Sequence, residues 1–268
     1  MILSEIWIYP VKSLGGIRLK KSQIEQRGLQ YDRRWMLVDE NGTFLTQRTN
    51  PAMALLGMIQ HKDGFLMFHK TKIEDSALLP FEPVSGQHIN VKIWKDHIQA
   101  LTVCDSLDAW LSAQLGKIAR IVYMPESTHR IMNPDDSPVP ALVSFADDFP
   151  FLLISQASLD DLNSRLDEPV KMERFRPNFV VSQTAPFAED HWENIKLGAA
   201  SFLVSKPCER CVLINVNQDS AIKGTEPLKT LATYRRSDKK IMFGQNLTGP
   251  SDGIVNEGDP VSILSKTK

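Results

Sequence analysis

Turn signals spaced through the first hundred residues constrain this chain more than any other feature. Asn41-Gly42 sits between residues 34–38 and 43–47, and Asp63-Gly64 sits between residues 56–59 and 65–68. Both dipeptides accept the positive φ of a tight turn, and the segments beside them have strand length. Lys95-Asp96-His97 joins residues 91–94 to 98–103 in a third hairpin. Residues 2–9 alternate, with Ile2, Ser4, Ile6 and Ile8 on one side and Leu3, Glu5, Trp7 and Tyr9 on the other. The first hundred residues therefore read as β-rich.

Beyond them the period changes. Leu107, Trp110, Leu111 and Leu115 share one face of a predicted helix over 107–115, with Asp105 or Ser106 as its cap and Gly116 at its exit. Residues 118–124 return to strand. The stretch 125–140 is polar and proline-bearing, so we place a domain boundary there, giving units 1–124 and 125–268. In the second unit Ser155 or Ser158 starts a helix carrying Leu159, Leu162 and Leu166. Residues 178–182, 202–205 and 212–216 read as strands, the last two flanking a pair of cysteines. Residues 226–234 read as a helix with Pro227 in its first turn. A last hairpin runs from 254–255 through the turn 256–259 into 261–264. The fold class is α+β, mainly β.

With 31 Lys plus Arg against 32 Asp plus Glu, the net charge of −1 gives no bulk attraction to a nucleic-acid polymer, while local basic clusters can still hold a small anion. Three cysteines in 268 residues cannot build a disulfide scaffold and suit a reducing compartment. Residues 1–10 lack the basic and apolar regions of a leader, and no apolar run is long enough to cross a bilayer. The expectation is a cytoplasmic protein without a membrane partner.

Five short segments can carry chemistry. Lys206-Pro207-Cys208-Glu209-Arg210-Cys211 holds two of the three cysteines. A thiolate is a soft ligand and a nucleophile, and a nearby guanidinium favours it. The segment can be a redox pair, half of a zinc site, or a one-cysteine mount for a soft metal. Zinc would need two further ligands, and the six histidines form no close pair. A thioredoxin-like pair would open a helix, whereas strand-like 212–216 follows here. Lys12-Ser13 ends the first strand and offers an ammonium and a hydroxyl to a phosphate, with Leu14-Gly15-Gly16 allowing close backbone approach. In Arg33-Arg34 one side chain must point opposite to the other, because strand side chains alternate. In Arg176-Pro177-Asn178 the proline forces Arg176 into extended backbone, aiming a bidentate fork beside an amide. Gly244-Gln245-Asn246 offers two amides to a flat heterocycle.

Taken in order, Ile8-Tyr9-Pro10-Val11-Lys12-Ser13, Asp32-Arg33, Phe175-Arg176-Pro177-Asn178, Cys208-x-x-Cys211 and Phe243-Gly244-Gln245-Asn246 resemble the MOSC family, in particular its amidoxime-reducing and hydroxylaminopurine-detoxifying branches. The resemblance spans essentially the whole chain. It implies an N-terminal β domain followed by a MOSC β-barrel, with a molybdenum cofactor held between them. It implies that Cys211 is the metal ligand and catalytic centre. Lys12, Ser13, Arg33, Arg176, Asn178, Arg210, Gln245 and Asn246 would then bind the pterin and its phosphate. Where some relatives carry Asp-Thr-Ser-Pro, this chain has Asp147-Asp148-Phe149-Pro150. The implied reaction is two-electron reduction of a small N-hydroxylated substrate to the amine. Three cysteines cannot ligate a plant-type iron–sulfur cluster, and no nucleotide-binding glycine fingerprint is present. Electrons are therefore expected from a separate donor protein, a reductase or ferredoxin-like chain. Two other readings stay open: a non-catalytic carrier of the cofactor or its sulfur, and a metal-free Cys208–Cys211 switch.

Overall fold

The computed structural model describes residues 1–84, 86–133, 135, 137 and 140–267, so four positions of the polar stretch 125–140 lie outside the described residues. Among the described residues the largest sheet has nine strands. Its order is Val261–Lys266, Trp192–Leu197, Ala200–Glu209, Lys240–Thr248, Phe151–Ser155, Phe179–Ser182, Ile2–Ile8 and Ile17–Leu19, with Arg236–Ser237 beside Lys240–Thr248. Phe151–Ser155 and Phe179–Ser182 run parallel, which demands a crossover, and the helix Gln156–Asn163 supplies it. Two strands from the first twenty residues thus complete a sheet otherwise made after residue 150.

A second sheet orders Trp35–Val38, Arg120–Tyr123, Asp96–Thr102 and His88–Ile93. A third is the meander Leu56–His61, Gly64–His69, Lys72–Pro80; its first turn is Lys62-Asp63, one residue earlier than the Asp63-Gly64 signal, because His61 pairs with Gly64. A fourth pairs Asp252–Asn256 with Lys21–Glu25, and that strand with Gly28–Leu29. The main core runs through these sheets, with Leu3, Ile6, Trp35, Phe65, Phe179 and Ile195 all buried. Leu3 and Ile6 share that core although strict alternation sets them on opposite sides. A bulge between Leu3 and Glu5 shifts the register.

Two helix signals hold, at Ser155 and at Gly116. Ser155 caps Gln156–Asn163, its Oγ accepting the Ser158 N–H at 3.1 Å. Gly116 closes Asp105–Leu115 in left-handed backbone, φ 63°. The residue before that helix is Cys104, whose side chain makes no capping bond, so neither Asp105 nor Ser106 is the cap. Pro227 directly precedes the helix Leu228–Tyr234.

Four local expectations are corrected. Residues 212–216 are not a strand: Val212–Asn215 is a 3-10 turn, because a short apolar run fits a buried turn as well as a strand. Trp35–Val38 pairs along its length with Arg120–Tyr123; the chain does reverse at Asp39–Thr43, with Leu45 N–H donating to the Leu37 carbonyl, but residues 43–47 form bridges at Phe44 and Thr43 and not a full strand. The third hairpin turns at Trp94-Lys95, since Ile93 pairs with Asp96. The final two strands do not pair with each other; they join different sheets.

Candidate functional site

A cavity of about 990 Å³ gathers segments from both halves of the chain. Lys12, Ser13, Arg33, Arg176, Asn178, Arg210, Cys211 and Asn246 line it. Gln245 does not: its neighbour Asn246 faces the cavity, so Gln245 points to the other side of the strand and donates to Asp190 Oδ1 at 2.7 Å.

The first wall hangs on the turn after Ile2–Ile8. Lys12 N–H donates to the Trp35 carbonyl and Trp35 N–H to that of Pro10, which locks residues 10–12 alongside the second sheet. Lys12 Nζ donates to the Phe145 carbonyl at 2.8 Å and pairs with Asp147. Burial pulls the Lys12 ammonium down to about 8 despite Asp147, with Arg130 and Arg48 adding repulsion. For Asp147, burial acts upward, but Lys12 and Arg48 outweigh it and hold the carboxyl below the usual range. Gly15 and Gly16 approach protein rather than the cavity. A Cβ on Gly16 would come within 2.5 Å of the Tyr9 ring.

Tyr9 is the spacer of a cationic cradle. The guanidinium carbon of Arg176 lies 4.1 Å from its ring centroid and that of Arg33 lies 4.5 Å away. Arg33 donates to Asp32 Oδ2 at 2.5 Å, to Asn178 Oδ1 at 3.2 Å and to the Arg176 carbonyl at 2.9 Å. Arg34 reaches elsewhere, to the Met124 carbonyl at 2.8 Å, but not through strand alternation: Arg33 has left-handed backbone, φ 50°, and the strand begins only at Trp35. Arg176 donates Nη1 to the Leu14 carbonyl at 2.6 Å, while its buried Nη2 has no partner. Burial, then Arg33, lowers Arg176 to about 10. Arg176 is not extended: its φ is 56°, because it closes the 3-10 turn Met172–Phe175. Asn178 spans strands, donating to the Trp7 carbonyl and accepting from Leu152 N–H, both at 3.2 Å.

The sulfurs form the opposite wall. Ala200–Glu209 carries Cys208 to its end, and Cys211 begins the turn Val212–Asn215. Arg210 donates Nη1 to Cys208 Sγ at 3.0 Å and Nη2 to the Phe175 carbonyl at 2.5 Å, leaving Nε buried and unpartnered. Cys211 is exposed and accepts from Arg48 Nη1 at 3.5 Å. Each thiol therefore has its own guanidinium.

Nine Lys and Arg side chains line the cavity against four Asp and Glu, although the whole chain carries −1. The lining therefore carries a local positive surplus, the charge balance that favours an anion. The sequence reading missed Arg48, Trp94 and Arg130. Arg48 follows Thr46-Gln47 in a segment that reads as a polar strand end, and only the folded chain brings it to a sulfur 163 residues away. Asp148 and Phe149, at the departure from the family pattern, both line the cavity.

Comparison with known proteins agrees with this layout. Residues 1–118 match the model of the MOSC N-terminal beta barrel domain, and residues 140–262 match that of the MOSC domain. Mitochondrial amidoxime-reducing component 1 of Mus musculus is 30% identical over 98% of this chain and 82% of its own length. Molybdenum cofactor sulfurase of Oryza sativa subsp. japonica is 34% identical over 90% of this chain, which spans only 32% of that relative. YiiM from Geobacillus stearothermophilus aligns with 68% of this chain and 75% of its own, at 12% identity and a TM-score of 0.35. With both domain models matched in order across most of its length, the chain belongs to the MOSC family.

Proposed function

We propose that this protein is a molybdenum-cofactor-dependent reductase of N-hydroxylated compounds, with the cofactor bound in the cavity at Cys211. The observation that carries this reading is the exposed Cys211 thiol, with the half-buried Cys208 near it, in a cavity whose lining has a surplus of cations. The mouse relative is an amidoxime-reducing component, and the rice relative is a molybdenum cofactor sulfurase.

The residues fit such a group in donor chemistry and in charge. Cys211 offers a soft sulfur donor. The unpartnered Arg176 Nη2 and Arg210 Nε call for acceptors that a phosphorylated heterocycle carries. Among the described residues no three His, Cys, Asp or Glu side chains converge to hold a metal. A metal here would take its other ligands from a bound organic group.

Cys211 would hold the metal. Arg176 and Arg33 would clamp the phosphate, with Lys12 and Ser13 beside them, and Asn178, Asn246 and Arg210 would meet the heterocycle. When bound, the cofactor supplies the two-electron chemistry that takes an N-hydroxylated group, two protons and two electrons to the amine and water. The chain's own contribution is to orient, to exclude water and to fix charge. Electrons come from a separate donor protein.

Protein made in a molybdopterin-competent host should carry stoichiometric molybdenum by elemental analysis and reduce hydroxylaminopurine with an artificial donor. Cys211→Ala should lose the metal and at least about a hundredfold in kcat/KM, while Cys208→Ala keeps the metal. Metal-free wild-type protein from such a host would refute the reading. A second reading, a carrier of cofactor or sulfur, is favoured by the match to the rice sulfurase. It predicts molybdenum without turnover.

A further inference from the structure

Trp94 occupies backbone that side chains of its size avoid. Its φ is 54°, in the two-residue turn between paired Ile93 and Asp96, where Asn or Gly is usual. A turn that only reversed the chain would have no need of an indole there. Strain of this kind collects at functional positions. Here the ring lines the cavity and is 44% exposed.

Exposed as it is, the indole is fixed. Its Nε1–H donates to Asp147 Oδ1 at 3.1 Å. The guanidinium carbon of Arg48 lies 4.4 Å from its ring centroid, and the Phe44 ring lies 5.0 Å away, tilted by 54°. Arg48 also donates to Cys211 Sγ, so a single side chain separates the indole from the sulfur. The rest of the cavity is dominated by cations, which reward anions and are indifferent to the shape of a neutral molecule. A rigid aromatic surface rewards a flat π-system, and its prior ordering lowers the entropic cost of stacking. An aliphatic group gains much less from it.

The geometry points to Trp94 as a specificity-determining residue: its indole, braced by Arg48 and Asp147, selects planar aromatic N-hydroxylated substrates over aliphatic ones. This inference rests on the reductase reading of the cavity.

The test compares wild-type holoenzyme with Trp94→Ala and Trp94→Phe, each with its molybdenum content measured, using benzamidoxime and acetamidoxime. Two readouts are taken: kcat/KM with an artificial donor, and dissociation constants by titration without donor, where nothing turns over. In Trp94→Ala the benzamidoxime-to-acetamidoxime ratio of kcat/KM should fall about tenfold, carried mainly by KM, with the ratio of affinities falling in step. Trp94→Phe should recover most of both. A holoenzyme that reduces both compounds while Trp94→Ala leaves the two ratios unmoved overturns the inference and leaves the reductase reading standing. A wild-type holoenzyme that reduces neither compound, nor hydroxylaminopurine, brings down both.

Discussion

The meander Leu56–Pro80 and the cavity wall are built on opposite rules. In the meander every strand pairs with its sequence neighbour, the first turn is the two residues Lys62-Asp63, and Phe65 and Met67 are buried in the main core. In the wall, Ser13, Arg33, Trp94 and Arg176 all have left-handed backbone, with φ of 65°, 50°, 54° and 56°. Two arginines there flank one tyrosine, and guanidinium nitrogens lie buried without acceptors. The meander's strand pairing is local, while its apolar face packs into the main core. The wall is held in costly conformations by the sheets around it, which is how a preorganised anion site is maintained.

This contrast can be broken most severely from the meander side. Phe65→Ala removes a ring that meets Tyr31, Trp35 and Phe81 at centroid distances of 5.3–5.9 Å. It should cost about 3–5 kcal/mol in denaturant unfolding. A loss much below that would mean the meander is not part of the cooperative core. On the wall, Arg176→Lys keeps the charge and loses the fork. Cofactor retention should fall about tenfold with little change in melting temperature, read by pterin release and calorimetry.

Lys12 sharpens the comparison through pH. Its ammonium titrates near 8, among Asp147, Arg130 and Arg48. As pH climbs through that value the cavity loses a positive charge, and affinity for inorganic phosphate should fall. Stability should move the other way. The unfolded lysine keeps its proton to the ordinary 10.5, so between the two values the unfolded chain binds more protons and Lys12 becomes cheaper to bury. Lys12→Met should flatten both trends in binding titrations and in denaturation from about pH 7 to about pH 9.5. The smallest expected effect lies far from the wall. At Gly116 a Cβ would meet nothing within 4 Å, so Gly116→Ala should cost only the strain of left-handed backbone, about 1 kcal/mol in thermal melts.

Legibility in the sequence follows the same divide. Gly116 and Ser155 act through atoms a few residues away, so their roles can be read from the chain, and the Asp63-Gly64 signal finds its turn to within one residue. The partner of Trp35–Val38 lies beyond residue 119, and nothing local distinguishes it from the nearer candidate at 43–47. Eight of the nine named site residues reach the cavity because the family motifs mark them. Gln245 falls outside through the strand's two-residue period. Arg176-Pro177 misleads because a proline disfavours only right-handed backbone in the residue before it, and the chain there takes the left-handed alternative. Arg48 and Trp94 belong to no motif; their importance comes from tertiary proximity to Asp147 and Cys211.

The stitching of Ile2–Ile8 against Phe179–Ser182 has a consequence for how the molecule is made. Ser4 Oγ donates to the Val180 carbonyl, 176 positions downstream, and the Leu3 N–H to the Asp259 carbonyl. While a ribosome is still extending this polypeptide, its opening strand has only Ile17–Leu19 to pair with. The cavity cannot be complete until translation has passed Asn246, which lines it together with Lys12. Whatever small molecule the pocket receives must be delivered to a finished protein, not to a growing one.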